Sequence, residues 1–200
     1  MAANTIFFLP GTGASPGFWK PVGDLLPAAW DKVYFGWPGL SNQPADPAIN
    51  GYEDLVRLVE NEIDGPVDLV AQSMGGMIAA RVALGHPGWI RRLVLNATSG
   101  GVDVSAFGGA DWRADYRRRY PGSPAWVTDR RGSANLPVEK IECPTLLIWG
   151  DADPISPLAV GRHLLGRISK AELHVIASDD HRFAESRPHD VAPLIAAFLS

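Results

Sequence analysis

Cysteine is almost absent from this chain. Cys143 is the only one in 200 residues, so no internal disulfide can form and no thiolate cluster can hold a metal. Long apolar runs are missing too. The longest early one, Ile6–Leu9, is far too short for a signal peptide or a membrane span. Charge of one sign is also lacking: 18 Lys and Arg stand against 22 Asp and Glu. The formal net charge of −4 gives no electrostatic ground for a nucleic acid or an anionic membrane as partner. His, Asp and Glu do not gather at metal-ligand spacings, so neither a metal nor another cofactor is expected. A small molecule is the expected partner, the cytoplasm is the default location, and monomer and dimer remain open.

What is present is an alternation. Short apolar runs occur at Ile6–Leu9, Val33–Phe35, Val67–Ala71, Leu93–Leu95, Thr145–Trp149 and Leu173–Ile176, each bounded by Gly, Pro, Asp or Asn. None shows the polar–apolar alternation of a half-exposed strand, and such runs suit parallel strands covered on both faces. Between them lie helix candidates at Phe18–Leu26, Tyr52–Ile63, Met74–Leu84, Pro157–Gly166 and Pro188–Phe198. The alternation predicts an α/β fold: a doubly wound parallel sheet of about six strands. Gly100–Lys140 breaks the rhythm, with only Asp111–Tyr120 helical in pattern. About forty residues without a strand predict a lid-like insertion at 100–140 within a single domain of residues 1–200.

The richest segment is Val67–Gly76 (VDLVAQSMGG). An apolar run ends in a serine among small residues, and a helical pattern follows. That arrangement predicts a sharp strand-to-helix turn exposing the hydroxyl of Ser73 at a helix N-terminus. A helix N-cap serine is the plainer reading. A serine nucleophile needs a base, an orienting acid and backbone donors for an oxyanion. His181 is the base candidate, in a loop after a strand-like run, whereas His86, His163, His174 and His189 fall in structural positions. Asp153, in Trp149–Pro157 (WGDADPISP), is the first choice for the acid. Asp151 competes from the same turn, and both residues also fit a purely structural Asp/Pro turn. The oxyanion donors expected are the backbone N–H groups of Met74 and of Thr12, with Gly13 as second choice for the latter.

These residues resemble the α/β-hydrolase superfamily, in its small esterase, lipase and haloperoxidase-like branch. Leu9–Trp19 (LPGTGASPGFW) is similar to the family's segment after its oxyanion strand, and Pro38–Ser41 (PGLS) to a shortened form of its Pro-Gly-x-Gly-x-Ser turn. Ala71–Gly76 (AQSMGG) resembles the nucleophile elbow, and His86–Leu95 the approach to the next strand. Cys143–Pro157 and His181–Pro188 (HRFAESRP) resemble the acid-bearing and base-bearing regions. Three departures stand out. Pro10 occupies the place of the usual histidine, Ala71 that of the elbow's first glycine, and Asp180 that of a glycine before the base. A carboxylate beside His181 would favour its protonated form and blunt it as a base.

The resemblance implies strand order 2-1-3-4-5-6 without the family's leading antiparallel pair. It also implies that Gly100–Lys140 takes the place of the cap. Trp19, Met77, Trp112 and Tyr116 are substrate-wall candidates, with Phe18 and Trp37 behind them, and each also fits a core position. The arginines there, Arg113, Arg117, Arg118, Arg119, Arg130 and Arg131, either offer cations to a substrate carboxylate or form a solvated face. The leading function is hydrolysis of a small carboxylic ester, thioester or lactone through an acyl-serine. The alternatives are a triad-bearing lyase, acyltransferase or perhydrolase, and a ligand-binding signalling receptor with slow turnover.

Overall fold

The computed structural model describes residues 4–129 and 135–200; Arg130 and Arg131 lie outside the described residues. The apolar runs form six strands: β1 (Thr5–Leu9), β2 (Asp31–Tyr34), β3 (Val67–Gln72), β4 (Ile90–Asn96), β5 (Thr145–Gly150) and β6 (Ala171–Ile176). All five strand pairings are parallel, and the spatial order is β2-β1-β3-β4-β5-β6, as expected. β3 and β5 are buried along their whole length, which is why their sequences are mostly apolar without alternation; the exceptions are polar residues with partners, such as Asp68, held by Arg91, and Gln72, bonded to His181 O.

The edge strands differ from the expectation of two covered faces. β2 exposes Asp31 and Val33, and β6 exposes Glu172, His174 and Val175. Each has a neighbour on one side only.

Helices cover both sheet faces. α2 (Tyr52–Glu60), α3 (Met74–Gly85) and α5 (Leu158–Arg167) bury Leu55, Val59, Ile78 and Leu164 in one core. α1 (Lys20–Gly23), α6 (Phe183–Ser186) and α7 (Pro188–Leu199) bury Val22, Phe183, Val191 and Ile195 in the other. The expected helix Phe18–Leu26 is instead a 3₁₀ turn, Pro16–Trp19, followed by the single turn of α1. Prolines at 16 and 21 each open a new helical start, and the turn at Gly23 lies so close to Tyr34 that a Cβ there would collide with its ring. Between β4 and β5 the described residues form α4 (Arg113–Arg119) and 3₁₀ turns, with no strand.

The strand order positions the site. From β1 the chain moves outward to β2, then crosses back over β1 to β3. That reversal opens a crevice beyond the carboxyl ends of β1 and β3, the segments that lead into Thr12 and Ser73.

Candidate active site

β3 ends at Gln72, and Ser73 follows with φ 52° and ψ −120°, a conformation that residues with a side chain rarely adopt. The strain is tolerated because the next turn packs extremely closely. A Cβ at Gly75 would strike the carbonyl oxygens of Leu9 and Pro10, and one at Gly76 would strike Thr98. Ala71, in place of the elbow's usual first glycine, is fully buried.

His181 Nε2 lies 3.1 Å from Ser73 Oγ, and His181 Nδ1 lies 2.8 Å from Asp153 Oδ2. An ionised carboxylate only accepts, so Nδ1–H donates to Asp153 and Nε2 is left to accept from the serine hydroxyl. Asp153 is 3% exposed, and its other oxygen accepts from the Ile155 and Ser156 N–H groups at 2.8 and 3.0 Å. Asp151 is exposed and accepts from Ser178 N–H at 2.9 Å, so it closes the turn between β5 and the loop after β6. The other histidines stand elsewhere: His86 bonds Glu60 at 2.9 Å, His163 packs on Phe107, and His174 and His189 are exposed.

Asp180, the carboxylate beside His181 in sequence, is engaged by the turn that follows it. One of its oxygens accepts from Arg182 N–H at 2.8 Å and the other from Ser186 Oγ at 2.7 Å. Its bond to the Arg182 N–H, two residues on, closes an Asx turn ahead of α6, which a glycine could not form.

Ser73 and His181 open into a cavity of about 360 Å³, which Thr12, Met74, Met77 and Trp112 also line. The Met74 N–H is one of the helix-start donors that lack an intrahelical acceptor. Gly13 does not line the cavity. Trp19 and Tyr116, expected as wall residues, are not in that wall. Trp19 is 1% exposed and donates its indole N–H to Leu9 O at 3.2 Å, and Tyr116 is buried with its hydroxyl 2.9 Å from Ser123 Oγ. Among the described arginines Arg113 lines the cavity, bridged to Asp111 at 3.0 Å. Arg117 bonds Thr128, Arg118 pairs with Asp115 and Arg119 lies over the Tyr120 ring, so those three belong mainly to the solvated face. Tyr52 also lines the cavity. Burial pushes its phenol up to about 12, so it stays a donor, here to Val127 O at 2.7 Å.

Pattern reading alone missed Gln72, which is buried and donates its side-chain amide to His181 O at 3.2 Å. Its place beside the serine in the elbow motif was the available signal.

The model of the alpha/beta hydrolase family matches residues 6–137. The chain belongs to the alpha/beta hydrolase family. The matched stretch holds Thr12 and Ser73 and ends before Asp153 and His181. This hydrolase is 24% identical over 243 residues to a pimeloyl-[acyl-carrier protein] methyl ester esterase of Neisseria meningitidis, covering 99% of this chain and 77% of that protein. It is 27% identical over 232 residues to a poly(3-hydroxyalkanoate) depolymerase of Ectopseudomonas oleovorans, covering 94% and 82%. In fold it is similar to the enol-lactonase of Burkholderia xenovorans, with a TM-score of 0.75 at 21% identity, covering all of this chain and 92% of that one. Among the described residues, no helix of the hydrolase is long and apolar enough to cross a membrane.

Proposed function

We propose that this alpha/beta hydrolase cleaves a small carboxylic ester, thioester or lactone through an acyl-Ser73 intermediate. The observation that carries the reading is the unbroken run of contacts from Asp153 through His181 to Ser73 Oγ. His181 Nε2 takes the Ser73 proton as Oγ attacks the carbonyl carbon, and Asp153 holds the ring in the tautomer that leaves Nε2 free. The oxyanion is met by the N–H groups of Met74 and Thr12. The tetrahedral species collapses, His181 returns its proton to the departing alkoxide or thiolate, and water then releases the acid by the same route in reverse. Residues 100–140 act as the cap over this pocket, within one domain of residues 1–200.

The esterase, depolymerase and lactonase activities of the similar proteins support an acyl-oxygen substrate.

The test is turnover of short p-nitrophenyl esters, with mass spectrometry of the protein after a fluorophosphonate probe. One adduct on Ser73 with steady turnover, both lost in Ser73→Ala, is the expected result. Turnover that survives Ser73→Ala would overturn the assignment, and an adduct without turnover would favour the receptor or a non-hydrolytic enzyme.

A further inference from the structure

The loop after β1 is held from behind along its whole length. Trp19 Nε1–H donates to Leu9 O at 3.2 Å, Trp37 Nε1–H to Pro10 O at 2.8 Å, and Ala14 N–H to Gly11 O at 3.2 Å. Ser41 Oγ–H donates to Thr12 O at 2.7 Å. Gly13 O receives two donors, the Tyr120 hydroxyl at 3.2 Å and Arg182 Nη1 at 3.1 Å. Five side chains from separate stretches of chain thus take up the carbonyls of one short loop. In a trans peptide the C=O of one residue and the N–H of the next point in opposite directions. Fixing the Gly11 and Thr12 carbonyls therefore aims the N–H groups of Thr12 and Gly13 the other way, and Thr12 lines the cavity with Ser73.

Tyr120 differs from the other donors because it comes from the insertion. It follows directly on α4, and Trp112, Tyr116 and Tyr120 pack along one side of that helix, edge-to-face at 5.7 Å and then tilted at 5.0 Å between ring centroids. Trp112 stands in the cavity wall. Tyr116 is buried, with its hydroxyl 2.9 Å from Ser123 Oγ. The Tyr120 ring reaches Gly13 so closely that a Cβ there would touch it at 3.9 Å. One aromatic ladder therefore joins the wall of the cavity to the back of the loop.

We propose that Tyr120 is a positioning residue for the oxyanion site: its hydroxyl holds the carbonyl of the Gly13–Ala14 peptide, whose Ala14 N–H in turn holds the Gly11 carbonyl and thereby the aim of the Thr12 N–H. The insertion is then part of the catalytic apparatus as well as a cover. The proposal rests on the ester-hydrolase reading above and assigns the loop's geometry to a residue outside the triad. Arg182 shares the Gly13 carbonyl, so loss of the Tyr120 hydroxyl weakens the support without abolishing it.

Tyr120→Phe removes one oxygen and keeps the ring. With p-nitrophenyl butyrate, kcat is expected to fall about tenfold, less than the roughly 10²–10³ lost when an oxyanion donor itself is removed. KM should stay within about twofold, because ground-state contacts at Trp112 remain. Affinity for phenylboronic acid, which forms a tetrahedral adduct on the serine, should fall by the same factor as kcat. The limb of the pH–rate profile set by His181 should not move, and circular dichroism melting should match the parent.

Ser41→Ala, acting on the adjoining peptide, should give the same kcat-selective loss and serves if Tyr120→Phe folds poorly. Unchanged kcat and boronate affinity in a folded Tyr120→Phe would overturn the proposal. So would equal losses in kcat and melting temperature without any loss of boronate affinity. If the parent itself shows no Ser73-dependent turnover, the ester-hydrolase reading fails instead, and the two failures are distinguishable.

Discussion

Asp151 and Asp153 share a turn, a charge and nearly a position, yet their surroundings differ completely. Asp153 is buried, holds two backbone N–H groups and reaches His181, whereas Asp151 lies exposed and bonds a loop amide. Asp153→Asn should therefore lower kcat by roughly 10³–10⁴, because an amide at that place favours the wrong imidazole tautomer. Asp151→Asn should cost less than about threefold, since an amide oxygen still accepts the Ser178 N–H. Steady-state kinetics of the two variants check this, and a reversed ranking would move the acid to Asp151. The sequence put Asp153 first but kept Asp151 as a competitor, because both follow the same strand and only the path of the turn separates them. Ser73 and His181 were legible because their signals are local: a strand followed by an elbow, and a loop histidine after a strand. Trp19 and Tyr116 were misplaced for the opposite reason. An aromatic side chain announces burial in the sequence but not the direction in which it is buried. Cys143, half-buried with its thiol pushed up to about 11 by burial, offers no competing nucleophile.

At the scale of elements, α3 carries its own internal comparison. Gly75 meets the backbone oxygens of Leu9 and Pro10, atoms of a central strand end that cannot step aside, while Gly85 near the other end meets nothing nearer than Glu60 at 3.9 Å. Gly75→Ala is expected to cost roughly 1–3 kcal/mol through overpacking and to reduce kcat, since the same displacement separates Ser73 from the loop after β1. Gly85→Ala should be neutral or stabilising by up to about 1 kcal/mol, as alanine is the better helix former. Urea unfolding of both variants checks the pair, and a Gly75→Ala protein as stable as Gly85→Ala would show that the elbow has room the structure does not show. Buried elements were the most legible ones. β3 and β5 are mostly apolar because both faces are covered, and α2 shows its buried stripe of Leu55, Val56 and Val59 directly. The exposed edges of β2 and β6 were not anticipated, since a short run fixes a strand but not its number of neighbours. α6, four residues long, is held by Arg182 and Asp180 contacts that no periodicity records.

For the whole molecule, the strand order was legible because parallel strands joined by helices leave few right-handed routes, and the family resemblance chose among them. The shape of the insertion was not, because its position depends on contacts with the loop after β1, the Pro38–Ser41 turn and the turn after β5, which the local sequence of the insertion does not record. Those contacts decide the size of the cavity between the sheet and residues 100–140. At about 360 Å³ it lies near the lower end of the range for small-molecule sites. Each methylene buried in it should raise kcat/KM by up to about fourfold, from roughly 0.8 kcal/mol of transfer free energy. That gain must stop once the space beside Met77 and Trp112 is filled, after which added carbons either stay in water or push the cap away. Across p-nitrophenyl acetate, butyrate, hexanoate and decanoate, kcat/KM is therefore expected to peak at a short or middle chain and to fall at decanoate. A continuous rise through decanoate would mean that the cavity extends past its described walls, and that residues 100–140 yield to long chains.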